Sequence, residues 1–408
     1  MRRADRERML AFRLAGQHLV RRLPDSYPGS LLEAAGACGI QNTPPGSAAL
    51  ALHARVAGLG PAAVDRALET DRHLLQVWSV RGAPHVVPAG ARDVFTIGLL
   101  PGDEPSSRAL VRVILGDLDA AGLPAAEAIR QTAQAVTEAL DGRTLSKDEL
   151  LEELQRRLPR ELNPWCRRCR IHHVHPSLQR AAALWGTFCL APRTGREASF
   201  VRTDQWLGVP APAAVGSVEP AAVEDAGTEL VRRFLRVYGP STPSLFAVWA
   251  GIAPAHARRL WDLVASELVE LASEPAGADK GNGRRGRQRV YLHGQDVARF
   301  ESPPAARGVR LLPPHDPYLE QPDRETLLPD RALQARVWRA VANPGAVLVD
   351  GAVVGTWRAQ KKRARLTLAV EPFPGPPLHD SARQEIEAEG QSLLPYRDAR
   401  SVEVVFAP

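Results

Sequence analysis

Between two apolar helical patterns lies Gly39-Ile40-Gln41-Asn42-Thr43-Pro44-Pro45-Gly46-Ser47, a run of neutral polar side chains where a plain turn would suffice. Gln41 and Asn42 each offer an acceptor oxygen and an NH2 donor, and Thr43 adds a hydroxyl that does both on a shorter arm. Such a set can hold and orient water but supplies no charge. The competing reading is structural: Thr43 before Pro44 matches a helix N-cap with proline at the first helical position, where its missing N–H is no loss.

Three further groups have chemistry-bearing types. Cys166-x-x-Cys169-x-x-His172-His173 carries the thiolates and imidazoles of tetrahedral zinc sites. All four crowd into eight positions with Arg167, Arg168 and Arg170 between them, whereas zinc fingers separate two ligand pairs by a dozen residues or more. The expectation is therefore loop residues, with the cysteines as small buried hydrophobes and no metal. His85, His315 and Asp316 sit at strand or loop boundaries, where a rigid frame can present a polar group. Lys280, Arg284, Arg285, Arg287 and Arg289 lie among glycines in a basic loop over 277–289, and Lys361, Lys362 and Arg363 form a second basic turn. Both can pair with phosphates. No Gly-rich phosphate loop, HExxH helix or nucleophile elbow occurs, which disfavours the common nucleotide-dependent enzymes.

The elements that must position these residues follow from periodicity. Leu10, Leu14, Leu19 and Leu23 predict one amphipathic helix, Ser30 to Ala37 a second and Ala48 to Val56 a third. Strands at 74–80 and 85–87 around the turn Arg81-Gly82-Ala83-Pro84 follow, which is the order of a winged helix-turn-helix. The pattern recurs as helices at 125–140, 147–158 and 176–185, strands at 186–190 and 199–202, and a turn at 192–195. A third copy reads as helices at 229–238, 243–249 and 254–271 and a strand at 290–293, with the basic loop where a wing would be. Beyond Pro303-Pro304 the pattern turns to β. Asp350-Gly351 predicts a hairpin, since it suits the positive φ values of a type I′ turn, with a third strand at 366–370, a helix at 381–394 and a last strand at 402–406.

The fold class expected is α+β, with tandem winged helix-turn-helix domains over 1–115, 116–215 and 216–302 and a β-rich C-terminal domain over 303–408. The chain has 408 residues, a net charge of +6 and four cysteines, which fits several globular domains in a reducing compartment and a polyanionic partner. No run of about 18 apolar residues and no cleavable leader pattern occurs, so neither export nor membrane insertion is expected.

With these pieces placed, the sequence resembles the AlkZ/YcaQ-like DNA glycosylases. The resemblance rests on Gly39-Ile40-Gln41 with the helix ending His53-Ala54-Arg55, on Arg81-Gly82-Ala83-Pro84-His85-Val86-Val87, and on Phe200-Val201-Arg202 with Trp206-Leu207-Gly208. It continues in Leu311-Leu312-Pro313-Pro314-His315-Asp316-Pro317-Tyr318-Leu319 and in Asp350-Gly351 with Val354-Gly355-Thr356-Trp357-Arg358. It implies a C-shaped stack of winged helices that wraps duplex DNA and excises alkylated purines, bulky genotoxin adducts included. It also implies a reacting motif Gln-x-Gln, or Gln-x-Asp in one branch, that aligns with Gln41 and residue 43, here Thr43. Gln41 would then position water, with Thr43 and Asn42 as partners, and His85, His315 and Asp316 would line the cleft. The reading expects damaged double-stranded DNA as partner, a cytoplasmic, nucleoid-associated monomer, and no metal, nucleotide cofactor or membrane. The alternative is a winged-helix DNA-binding or regulatory protein that lost its chemistry with the second amide.

Overall fold

The computed structural model describes residues 3–195, 197–210, 214–273 and 288–407. The chain packs as two compact units, each assembled from separated segments: Met1–Asp65, Arg232–Leu245 and Ser266–Pro408 form the first, and Arg66–Val231 with Phe246–Ala265 the second. Long-range packing, not order along the chain, collects each unit.

In the first unit, helices form at Arg6–Gly16, Gly29–Gly36 and Ser47–His53, close to the three expected. The first is shorter than its leucine pattern. It ends at Gly16, and Leu23 instead donates its backbone N–H to the Arg55 carbonyl. A five-stranded sheet runs in the order Val309–Leu312, Gly345–Val349, Ala352–Lys362, Arg365–Pro372 and Ser401–Phe406. Its first four strands pair antiparallel. Asp350 and Gly351 adopt φ of 47° and 82°, the left-handed values expected of the hairpin turn. The last strand pairs parallel to Arg365–Pro372, which a hairpin cannot achieve, and helix Asp380–Ser392 supplies the crossover. Ile386 and Leu393 then pack with Leu311, Val347, Trp357 and Leu368 in one core.

A smaller sheet pairs Leu268–Ser273 antiparallel with Gln288–His293, and Arg3–Ala4 adds to it in parallel. The expected helix over 254–271 thus ends at Leu263, and its remainder turns to strand. Leu268, Val269 and Leu271 gain more from a sheet face than from helix continuation: Leu271 joins Met9, Phe12, Val290 and Phe300 in a buried cluster, with Val269 packed against it.

The second unit is built on helices Ala125–Ala139, Lys147–Arg157 and Pro176–Ala182, near their expected positions. Ser146 and Glu149 cap the middle helix reciprocally, which fixes its start. Strands Leu74–Trp78 and Pro84–Pro88 form the expected hairpin, with Arg81 at φ 54° in its turn. Phe188–Thr194 and Glu197–Arg202 form another, so Pro192 and Arg193 extend a strand instead of turning, and Gly195 at φ 66° makes the turn. Trp78, Phe188 and Phe200 pack edge-to-face or tilted at ring separations of 5.3–6.5 Å, tying both hairpins to the helical core of Ile129, Val136 and Leu154.

Candidate functional site

The Gln41 loop leaves the short strand Ile40–Gln41 and enters helix Ser47–His53, so a rigid element holds each end. Gln41 is 8% exposed, and its backbone carbonyl accepts a hydrogen bond from the Ser47 hydroxyl at 3.2 Å. The Asn42 side-chain oxygen accepts from the backbone N–H groups of Gly46 at 2.8 Å and Ala48 at 3.2 Å. Capping therefore falls to Asn42, not to Thr43: the helix begins three residues after Pro44, with Gly46 in the left-handed region at φ 90° as its cap residue. An Asn oxygen four residues ahead reaches those N–H groups, whereas the shorter Thr43 hydroxyl makes no bond to the helix. Thr43 stays half-buried.

Committing the Asn42 oxygen to the helix withdraws it from the set of water partners expected from the sequence. Asn42→Ala is expected to lower stability by about 0.5–2 kcal/mol, whereas Asn42→Asp, which keeps the acceptor beside the positive end of the helix dipole, holds the wild-type melting temperature. Thermal unfolding of the two variants side by side checks this.

Asp316 does not line a cleft. It is 1% exposed and forms a bidentate pair with Arg55, both N–O distances being 2.8 Å, while Arg55 also donates to Ala51 O and to Gln17 Oε1. Burial, the largest single influence, pulls the Arg55 guanidinium down, but the charge and hydrogen bonds of Asp316, with smaller contributions from Cys38 and Tyr238, together outweigh it and the net shift is upward. Asp316 Oδ1 further accepts from the Tyr318 backbone N–H at 2.9 Å, so this carboxylate joins the helix carrying the Gln41 loop to the segment 313–321. No sequence signal links Arg55 to a partner 261 positions away.

His315 sits at φ 58°, partly exposed, with Nδ1 3.0 Å from Glu320 Oε1. His85 belongs to the second unit, opposite Val77 in its hairpin; it is 4% exposed and its Nδ1 donates to the Ala83 carbonyl at 2.9 Å. A histidine so enclosed in a sheet is held as scaffold. Cys38, next to the loop, is buried as well, and that burial pushes its thiol up to about 11, which makes it a poor nucleophile.

Of the cationic residues, Lys280, Arg284, Arg285 and Arg287 lie outside the described residues. Arg289 is exposed at the start of strand Gln288–His293, its Nε 3.5 Å from Glu270 Oε1. Lys361, Lys362 and Arg363 are exposed at a hairpin end, where Lys361 pairs with Asp398 at 2.9 Å and Arg363 adopts φ 55°. Arg289 and the residues Lys361 to Arg363 thus sit on or between strands of the first unit.

A model of the AlkZ-like DNA glycosylase family matches residues 34–396, which includes the Gln41 loop, the Arg55–Asp316 pair and the basic hairpin end. The chain belongs to the AlkZ-like family. Among solved structures, the Streptomyces sahachiroi DNA glycosylase AlkZ is similar over 100% of both chains, with a TM-score of 0.75 at 21% identity, so the two share a fold. A search of curated proteins returns no match. Membership places this AlkZ-like chain among the DNA glycosylases of DNA repair, as a DNA-binding hydrolase. Among the described residues, no helix of the AlkZ-like chain is long and apolar enough to cross a membrane.

Proposed function

We propose that this protein hydrolyses the N-glycosidic bond of alkylated purines in duplex DNA, bulky adducts included, with Gln41 as the catalytic residue. The observation that carries the reading is the setting of Gln41 in an AlkZ-like chain: a neutral amide on a strand end whose backbone oxygen is pinned by Ser47 and whose following loop is pinned by Asn42. Alkylation at ring nitrogen 7 makes the purine cationic, so it leaves with the N9–C1′ bonding pair and departs neutral. Catalysis then requires a positioned water and shelter for an oxocarbenium-like sugar more than a strong acid. The Gln41 side-chain carbonyl accepts a hydrogen bond from water and turns its lone pair to C1′; the O–C1′ bond forms as N9–C1′ breaks, and the excess proton passes to solvent. The Thr43 hydroxyl orients the same water, and Asn42 acts as a positioning residue through the helix.

The tandem winged helices, the cationic loop at 277–289 and the hairpin end at 361–363 serve phosphate binding in this reading, and the protein works as a monomer beside the nucleoid. The second reading, a binding protein without chemistry, is favoured by one observation: residue 43 is Thr where the family motif has a second amide or a carboxylate. Release of free 7-methylguanine from alkylated duplex DNA separates the two. Base release by the wild-type chain supports the glycosylase. Tight duplex binding with no release of 7-methylguanine or of a bulkier N7 adduct, together with release gained by Thr43→Gln, would establish the binding protein instead.

A further inference from the structure

Cys166, Cys169 and His173 lie together in the second unit, and their candidate ligand atoms are all within 4.8 Å of one another. They sit on a hairpin whose strands, Trp165–Cys166 and Ile171–His172, have two residues each. The Arg170 backbone N–H donates to the Cys166 carbonyl at 2.8 Å, and Arg170 takes φ 57°, so the chain between the cysteines curls tightly enough to bring both sulfurs to one side. Neither cysteine is the buried apolar filler expected from the sequence: Cys166 is half-buried and Cys169 exposed.

His173 supplies the independent observation. It is 7% exposed, and its Nδ1 lies 2.8 Å from the Val174 carbonyl, an oxygen that can only accept. Nδ1 therefore carries the hydrogen and Nε2 the lone pair. That Nε2 is buried beside the Cys166 thiol with no oxygen or nitrogen partner, a poor substitute for a full hydrogen bond where an unmet buried acceptor costs on the order of 1–3 kcal/mol. A carbonyl that fixes the tautomer while the other nitrogen stays bare is the arrangement that orients a metal-ligating imidazole. His172 Nδ1 likewise bonds a carbonyl, that of Asn163 at 2.9 Å, but its ring packs edge-on against Trp165 at 5.2 Å and it is not one of the three residues whose ligand atoms converge.

We propose that Cys166 Sγ, Cys169 Sγ and His173 Nε2 bind one zinc ion, with water in the fourth tetrahedral position. Two thiolates and one imidazole suit zinc over the harder oxygen-seeking cations. Bond lengths of about 2.3 Å to sulfur and 2.0 Å to nitrogen require the three atoms to close by roughly 1 Å, within the reach of the cysteine rotamers on an exposed hairpin. The benefit is mechanical. A hairpin of this size cannot hold itself together in water, and this one leaves Trp165 55% and Ile171 50% exposed. His173 adjoins Val174, which is fully buried in the helical core, so the ion would tie the hairpin to that core.

The test is metal content of the full-length chain isolated under reducing conditions without chelator, followed by cobalt replacement of whatever metal is found. Expected are about one zinc per chain, a thiolate-to-cobalt charge-transfer band with tetrahedral visible bands after replacement, loss of both in Cys169→Ser and His173→Ala, and retention in His172→Ala. Since Cys169 is exposed, its serine variant folds and reports on the metal alone. The proposal is overturned if the reduced wild-type chain takes up neither zinc nor cobalt, if Cys169→Ser keeps its zinc, or if Cys166 and Cys169 form a disulfide whose reduced form refuses zinc.

Discussion

Gln41→Ala is expected to lower release of 7-methylguanine by about two to three orders of magnitude, the loss typical when one preorganised hydrogen-bonding group is removed from a transition state. Duplex affinity should be unchanged, because phosphate contacts carry the affinity and a single neutral amide contributes no charge to them. The substitution keeps two anchors of the loop: the bond from the Ser47 hydroxyl goes to the backbone oxygen of residue 41, which alanine retains, and Asn42 still caps the helix. Single-turnover base release and binding, measured on the same alkylated duplex, decide the matter. Wild-type release rates in the alanine variant would remove Gln41 from the mechanism. A parallel fall in binding and rate would instead mean that the amide holds the loop or the lesion, not the water.

The second large effect concerns stability. Arg55→Ala or Asp316→Ala should each cost about 3–5 kcal/mol, because each strands an ionised partner in a site that water does not reach. Against a total stability on the order of 5–15 kcal/mol, that is enough to unfold much of the population under mild urea. Replacing both, as Arg55→Met with Asp316→Leu, should recover much of the loss, since no charge is then left unpaired. The recovery will be incomplete, because Gln17 Oε1, the Ala51 carbonyl and the Tyr318 N–H also lose a partner. Urea midpoints for the two single variants and the double variant form a cycle that reads the pair directly. Were Asp316 a cleft residue, Asp316→Ala would cut base release while leaving the urea midpoint in place; the bidentate geometry predicts the opposite.

How much of this was legible in advance depended on the range of the interaction. Helices near 125–139 and 147–157, the Arg81 turn and the Asp350-Gly351 hairpin follow from periodicity and φ preference, properties that a few neighbouring residues decide among themselves. The resemblance at Gln41, His53-Ala54-Arg55 and Leu311 to Leu319 pointed to the AlkZ-like family before any geometry was known. Where two local patterns competed, as over Val264 to Leu271, the chain alone favoured helix and the neighbouring strand Gln288–His293 drew it into a sheet.

The Gln41 loop shows the same division at the scale of single residues. Its composition, neutral and polar with two prolines and a glycine, was enough to mark it as a place where water can be held. Which of its polar side chains caps the following helix was decided by the direction from which helix Ser47–His53 presents its first N–H groups, and they meet Asn42. Likewise the sequence offered His172 and His173 as equals, and packing separated them: His173 is buried against the core with its Nε2 beside the two cysteines, while His172 is not. The Arg55–Asp316 pair had no local trace at all. Sequence by itself determines what each short segment prefers and what chemistry its side chains carry; which groups meet, which are spent on structure and which are left with an unpaired donor or acceptor is decided when distant segments pack and exclude water, because only then does an unmet hydrogen bond or charge become costly.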